Sequence, residues 1–331
     1  MRNAFFSTVL SIVVFALMIV LFEVIFSRLA PVPLVTRYQN KFVNKLHPEV
    51  GYCLNDDGEY WSVLRRHTGE CTFVTTTIKD GIRFTPSTGP LEKKRFACFF
   101  GDSYTFGKDC PDDHTLPYYF GENRPEYRPY NFGIAGGSVQ NMYYILSNTD
   151  LRKQVREEQG IAVYWFLGFH TERVVGGMPS FNGWADITAC YEEFGNDIKY
   201  LGTFRDAHPW RSLLYDSLHS SSTMRYFGIN LPFRYSEKDY ALAARLLIES
   251  ERLFIEKFPG SEFLVLFWDD TIPYASVKKR VENAGIRTLV LDSFLWQASR
   301  MGEVSHVKKT LDGAHFNDYR AVAEGLASII P

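Results

Sequence analysis

Cysteine, metal-ligand spacing and long runs of one charge are what this chain has least of. Its 331 residues hold five cysteines, an odd number that cannot all pair within one chain. No Cys-x-x-Cys occurs and the eight histidines are scattered, so no metal site is expected. Cys98 sits in the apolar run Phe96-Ala97-Cys98-Phe99-Phe100 and reads as a small buried hydrophobe. Cys53, Cys71, Cys110 and Cys190 remain for up to two disulfides in an oxidising compartment, although no spacing is a signature. The formal charge of −2 hides no basic stretch, which argues against nucleic acid as a partner. Neither an internal repeat nor a low-complexity tract is evident. What is present, 46% hydrophobic and 16% aromatic residues, suits a well-packed core.

From Asn3 to Ser27 the single charged side chain is Glu23. At about 1.5 Å per residue, roughly 20 residues cross a hydrocarbon layer of about 30 Å, so this stretch is long enough to span a bilayer. A signal peptide is the rival reading, but its apolar region covers about 7–15 residues and ends at a small-x-small site. Ser27-Arg28-Leu29-Ala30 puts an arginine inside the candidate site, which favours a retained anchor over residues 1–30. Arg28, Arg37, Lys41 and Lys45 outnumber Arg2, so charge alone favours a cytoplasmic body. Large domains translocate regardless of such charge, and the expectation here is an exported body on a single-pass anchor.

Pro31 and Pro33 mark a linker, and residues 31–93 read as a small β-rich module with extended runs such as Cys71 to Ile78. From residue 94 the texture changes. Arg95–Phe100, Ile161–Leu167, Glu262–Trp268 and Ile286–Leu291 are apolar runs of strand length. Helical spacing appears over Glu237–Phe258, over Tyr274–Ala284 between Pro273 and Gly285, and over Ala321–Ile330. Alternation of this kind predicts an α/β domain over 94–331, with a mostly parallel sheet covered on both faces. Residues 174–235 break the rhythm and read either as a lid-like insert or as a surface subdomain.

Gly101-Asp102-Ser103-Tyr104-Thr105-Phe106-Gly107 follows the first strand directly, which places Ser103 at a strand's carboxyl end, where ligands of such sheets bind. Backbone N–H groups there can stabilise an oxyanion. Alone, a Gly-Asp-Ser tripeptide is a common turn. Asp312-Gly313-Ala314-His315 places a carboxylate and an imidazole three residues apart near the other end of the chain. His315 can take the serine proton while Asp312 orients it; a helix cap and a surface histidine are the plainer alternatives. Asp109, Asp112, Asp113 and His114 lack oxygen-ligand spacing and read as a solvated turn.

Taken together, these blocks resemble the SGNH, or GDSL-type, hydrolase superfamily, in its membrane-anchored bacterial branch. The first family block corresponds to Gly101-Asp102-Ser103 and the last to Asp312-Gly313-Ala314-His315. Asn131-Phe132-Gly133-Ile134-Ala135-Gly136-Gly137-Ser138 resembles the second, with Gly136 at the oxyanion-hole glycine. His47-Pro48-Glu49-Val50-Gly51-Tyr52 and Thr77-Ile78-Lys79-Asp80-Gly81-Ile82-Arg83 resemble the preceding module of anchored members, so the likeness is nearly full-length. One block departs from it. The family's Gly-x-Asn-Asp is here Gly168-Phe169-His170-Thr171, so His170 either supplies the third oxyanion donor through a ring N–H or is a hydrogen-bonded residue beneath the insert.

The resemblance implies a flavodoxin-like three-layer α/β/α sandwich carrying a serine esterase, with Ser103, Asp312 and His315 catalytic and Ser103, Gly136 and His170 around the oxyanion. No cofactor is implied. The expected substrate is an O-acyl, in particular acetyl, ester of a carbohydrate, polysaccharide or related small molecule. Two alternatives stay open: O-acyl transfer to a cell-surface polysaccharide, and a silent glycan-binding module. The implied location is a bacterial inner membrane, with the body in the periplasm or outside.

Overall fold

A computed structural model describes residues 2–29, 35–66, 68–87, 89–90, 92–180, 187–195, 197–271, 274–291 and 319–330. The apolar stretch forms one helix, α1 (Arg2–Leu29), long enough to cross a membrane. Between Phe6 and Leu29 every residue is exposed except Glu23 and Phe26.

The amino-terminal module is built of strands β1 (Val35–Gln39), β2 (Asn44–His47), β3 (Gly51–Leu54), β4 (Gly58–Arg66), β5 (Cys71–Lys79) and β6 (Ile82–Arg83). The antiparallel β4–β5 pair runs from Gly58↔Ile78 to Arg65↔Cys71, and β2–β3 form a separate hairpin. Beyond the module come β7 (Arg95–Phe100), α2 (Ser103–Phe106), α3 (Leu116–Asn123), β8 (Tyr127–Asn131), α4 (Val139–Asn148), β9 (Gln159–Phe166) and α5 (Phe169–Val175).

An insert follows, with the hairpin β10 (Ala189–Phe194) and β11 (Asp197–Thr203) and helices α6 (Phe204–Ala207), α7 (Pro209–Ser220) and α8 (Ser222–Tyr226). The chain returns to the sheet through α9 (Glu237–Lys257), β12 (Glu262–Phe267), α10 (Tyr274–Asn283), β13 (Arg287–Val290) and α11 (Arg320–Ile329). A capping box starts α9: the Asp239 carboxylate accepts from Ser236 N at 2.6 Å, and Asp239 N donates back to the Ser236 hydroxyl at 3.4 Å.

Nine strands make one sheet in the order β1-β4-β5-β6-β8-β7-β9-β12-β13. Its parallel part is β8-β7-β9-β12-β13, which in chain order is 2-1-3-4-5, the flavodoxin-like arrangement. Because both faces are covered, alternate residues serve two cores. Phe96, Cys98 and Phe100 join Tyr164, Phe166 and the α4, α9 and α10 side. Ala97 and Phe99 join Val163, Trp165 and the α3 and α11 side. This is the expected three-layer α/β architecture, and Cys98 is fully buried in it as expected.

The module does not stand apart. Strand β6 joins it to the parallel sheet through the pair Arg83↔Asn131. All five cysteines are free thiols in the structure, with Cys98, Cys110 and Cys190 buried, so the pairing allowed by the sequence is not found.

Candidate active site

Strand β7 ends in Phe100, and the chain turns sharply at Gly101, whose φ of +152° favours glycine. A Cβ at Gly101 would lie 2.3 Å from the Thr105 hydroxyl oxygen, so this position has no room for a side chain. Asp102 then caps the single turn of α2 by accepting from Tyr104 N at 3.0 Å, and Ser103 is the first residue of that turn. Since β8 lies on one side of β7 and β9 on the other, Ser103 stands where the strand order reverses, at the carboxyl ends of the strands.

The glycine block is held against this turn by backbone contacts. Ile134 N donates to Gly101 O at 3.1 Å, and a Cβ on Gly133 would come within 2.3 Å of Phe106 N. Gly136, at φ +84°, lines the same cleft as Ser103, a space of about 890 Å³. Phe169 and Arg173 of α5 form another wall, and Phe42, Asn44, Tyr52, Tyr60 and Trp61 bring the amino-terminal module into it. The module also grips the glycine block: Asn44 Nδ2 donates to Ala135 O at 2.8 Å and the Tyr52 hydroxyl donates to Gly136 O.

Beneath Ser103 lies a buried polar cluster. The Asp102 carboxylate is wholly buried, 3.3 Å from Arg173 Nη1 and 3.6 Å from His170 Nε2. Burial alone pushes this carboxyl up, but His170, Arg173 and the Tyr104 N–H together hold it below its ordinary value. His170 is pushed down, chiefly by burial, against the opposing pull of Asp102. Its Nδ1 lies 2.9 Å from the Tyr164 hydroxyl and accepts from Leu167 N at 3.3 Å, which places the proton of the neutral ring on Nε2, facing Asp102. His170 therefore does not line the cleft. Its ring is packed under the Ser103 turn, which corrects its expected place among the oxyanion donors and favours the buried hydrogen-bonded alternative.

Two side chains that the sequence did not single out complete the neighbourhood. Arg173 Nη1 donates to Gly137 O at 2.7 Å as well as to Asp102, tying α5 to both the Gly101-Asp102-Ser103 turn and the glycine block. Arg83 is fully buried; it donates to the carbonyls of Phe106 and Gly107, and to Cys110 O at 2.6 Å and Asp112 Oδ1 at 3.1 Å. Asp109 forms a two-pronged pair with Arg37, one contact at 2.7 Å. Asp109 and Asp112 thus clasp the Ser103 loop to the module instead of forming a solvated turn, while Asp113 is exposed and His114 half-buried. Asp312 and His315 lie outside the described residues.

One group of metal-capable side chains occurs among the described residues, Cys190, Glu192 and His208, with ligand atoms within 4.8 Å of one another. Glu192 and His208 already pair at 3.3 Å, burial pushes His208 down and raises the Cys190 thiol to about 12, so the group is satisfied as a carboxylate–imidazole hydrogen bond beside a neutral thiol.

No protein-family model matches the sequence, and no curated protein does either. Among solved structures, a carbohydrate esterase family 2 enzyme with its carbohydrate-binding domain, from Corynascus thermopiles, overlaps 89% of this chain and 85% of its own at 13% identity and a TM-score of 0.40. In block order and topology the chain resembles the GDSL-type proteins. A member of the lipolytic G-D-S-L family from Veillonella parvula covers 71% of this chain and 96% of its own at 13% identity, TM-score 0.37. An acetylxylan esterase from Geobacillus stearothermophilus, a catalytic mutant, covers 74% and 95% at 11% identity, TM-score 0.36.

Proposed function

We propose that this protein is a membrane-anchored serine esterase of the GDSL type that removes O-acyl groups, acetyl first among them, from a carbohydrate or polysaccharide. The observation that carries the reading is the position of Ser103, at the strand-order reversal and on a cleft shared with Gly136. In this reading Ser103 Oγ attacks the acyl carbonyl and His315, oriented by Asp312, takes the proton. The N–H groups of Ser103 and Gly136 receive the oxyanion, and water then cleaves the acyl-enzyme. Oxyanion stabilisation here relies on backbone donors, because the His170 ring faces Asp102.

Aromatic walls favour a sugar substrate. Trp61 stacks on Phe73 at 6.1 Å, and Trp61 and the exposed Phe42 both line the cleft, giving apolar faces suited to pyranose rings. Capture of the acyl-enzyme by a second sugar hydroxyl would make the protein an O-acyltransferase. The retained anchor is supported by Glu23, whose carboxylate accepts from Ser222 N at 2.7 Å and Thr223 N at 3.2 Å, so α1 packs as a part of the fold.

A serine-reactive fluorophosphonate tests the nucleophile on the intact protein. Wild type is expected to label, with Ser103→Ala losing both labelling and acetate release by roughly 10⁴-fold or more. Equal labelling of the two proteins rejects Ser103 as nucleophile.

A further inference from the structure

The insert wears its apolar side chains outward. In α7 the residues Trp210, Leu213 and Leu214 follow helical spacing and all are exposed, Trp210 to 81%, whereas Ser212 on the opposite side is buried. Tyr226 and Phe227, at the end of α8, and Phe233 at 79% exposure add further exposed apolar side chains to the insert. Such a patch marks a contact surface for a partner.

Its position says what the partner is. The first turn of α8 is capped by Glu23, the one charged residue of the apolar stretch, and Phe26 packs against Tyr226 at 4.6 Å and Phe227 at 5.0 Å. Glu23 lies six residues before Leu29, the end of α1, which is about 9 Å along a helix axis. An interfacial helix sinks about 5–10 Å into the boundary between headgroups and acyl chains, so the depth of α8 beside α1 matches that of an interfacial segment. Arg28 at the end of α1, and the exposed Arg225 and Arg234, supply cations for lipid phosphates at the same level.

We infer that α7, α8 and the segment through Phe233 form a second membrane contact, lying in the lipid interface beside the anchor and fixing the body against the bilayer. The inference rests on the retained anchor. Membrane contact then involves two elements: α1 spans, and the insert lies flat against it. Since the insert begins just after α5, which carries Phe169 and Arg173, one wall of the cleft is held at a set height above the lipid.

Full-length protein in vesicles of phosphatidylcholine and phosphatidylglycerol, doped with a phospholipid bearing an acyl-chain diazirine, tests this by peptide mapping of photo-adducts. Adducts are expected both within 6–29 and within 209–234. The variant Trp210→Ser, Leu213→Ser, Leu214→Ser should lower adducts in the insert at least about fivefold and leave those in α1 unchanged. Arg225→Glu with Arg234→Glu should lower insert adducts in the anionic vesicles and not in pure phosphatidylcholine. Adducts on α1 with none on the insert overturn the inference while sparing the anchor. Chain-to-chain cross-links through 209–234 in place of lipid adducts overturn it in favour of a second copy. Adducts on neither element reject the anchor, and the inference with it.

Discussion

The Ser103 loop and the insert are both excursions from the same sheet, and they treat polarity in opposite ways. Around Ser103 the chain buries charge: Asp102, Arg83 and Asp109 are all in the interior, each with named partners. In the insert it leaves Trp210, Leu213 and Phe233 in the open. Buried charge demands fixed geometry, because each group must keep its partner to offset desolvation. Exposed apolar surface demands nothing of its own fold and waits for a partner. Rigidity is therefore invested around Ser103, and the capacity to associate sits in the insert.

The strongest way to break this contrast is at Arg83. Arg83→Met should destabilise the protein by about 3–5 kcal/mol, since the Phe106, Gly107 and Cys110 carbonyls and Asp112 lose their donor together. A denaturant midpoint close to wild type would show that the clasp does not hold the loop. Asp102→Asn should cost less, about 1–3 kcal/mol, because one buried charge loses its complement.

That cluster also sets a pH dependence. Both Asp102 and His170 are held below their ordinary values, so the folded chain binds fewer protons than the unfolded one between the shifted and ordinary values. Their contribution is full above the ordinary histidine value of 6.5; it is lost as pH falls through the histidine range and then the carboxylate range. Melting temperature should thus decline from neutral to about pH 5, and His170→Gln should flatten that decline. An unchanged slope would assign the titration elsewhere. The smallest effect is expected in the insert: Trp210→Ser should alter stability by no more than about 0.5 kcal/mol, because no packing is lost in the absence of lipid. A larger loss would mean that the α7 face is packed after all.

Elements whose own residues carry a strong pattern were legible in the sequence. Strand β7 is found over Arg95–Phe100 as expected, and α9 and α10 end within a residue of their expected limits. Strand β8 was not recognised, since Tyr-Arg-Pro-Tyr-Asn has a proline at its centre. Pro129 is tolerated because β8 pairs continuously with β7 but meets β6 only at Asn131, so most of its other edge needs no donor. In the site, Ser103 and Gly136 were legible because short motifs name them. Arg83 and Arg173 were not, as their importance lies in contacts with segments 23–27 and 71 residues away. His170 was noticed for the asparagine it replaces, and its burial depends on Tyr164 and Asp102, neither of which a motif places beside it.

Arg83 also ties the order of synthesis to the making of the site. It belongs to β6, and the loop it supports is made some twenty residues later, so the donor exists before its acceptors emerge. Until β6 is in place, those carbonyls have no cation to turn toward, and the serine turn keeps only its Asp102 cap and its contacts with the glycine block. Cutting the chain at residue 93 would thus yield a sheet with Ser103 attached but its scaffold missing. Transplanting the part that follows residue 93 onto another amino-terminal segment would carry the same defect, and an exchangeable unit of this protein must begin upstream of Arg37.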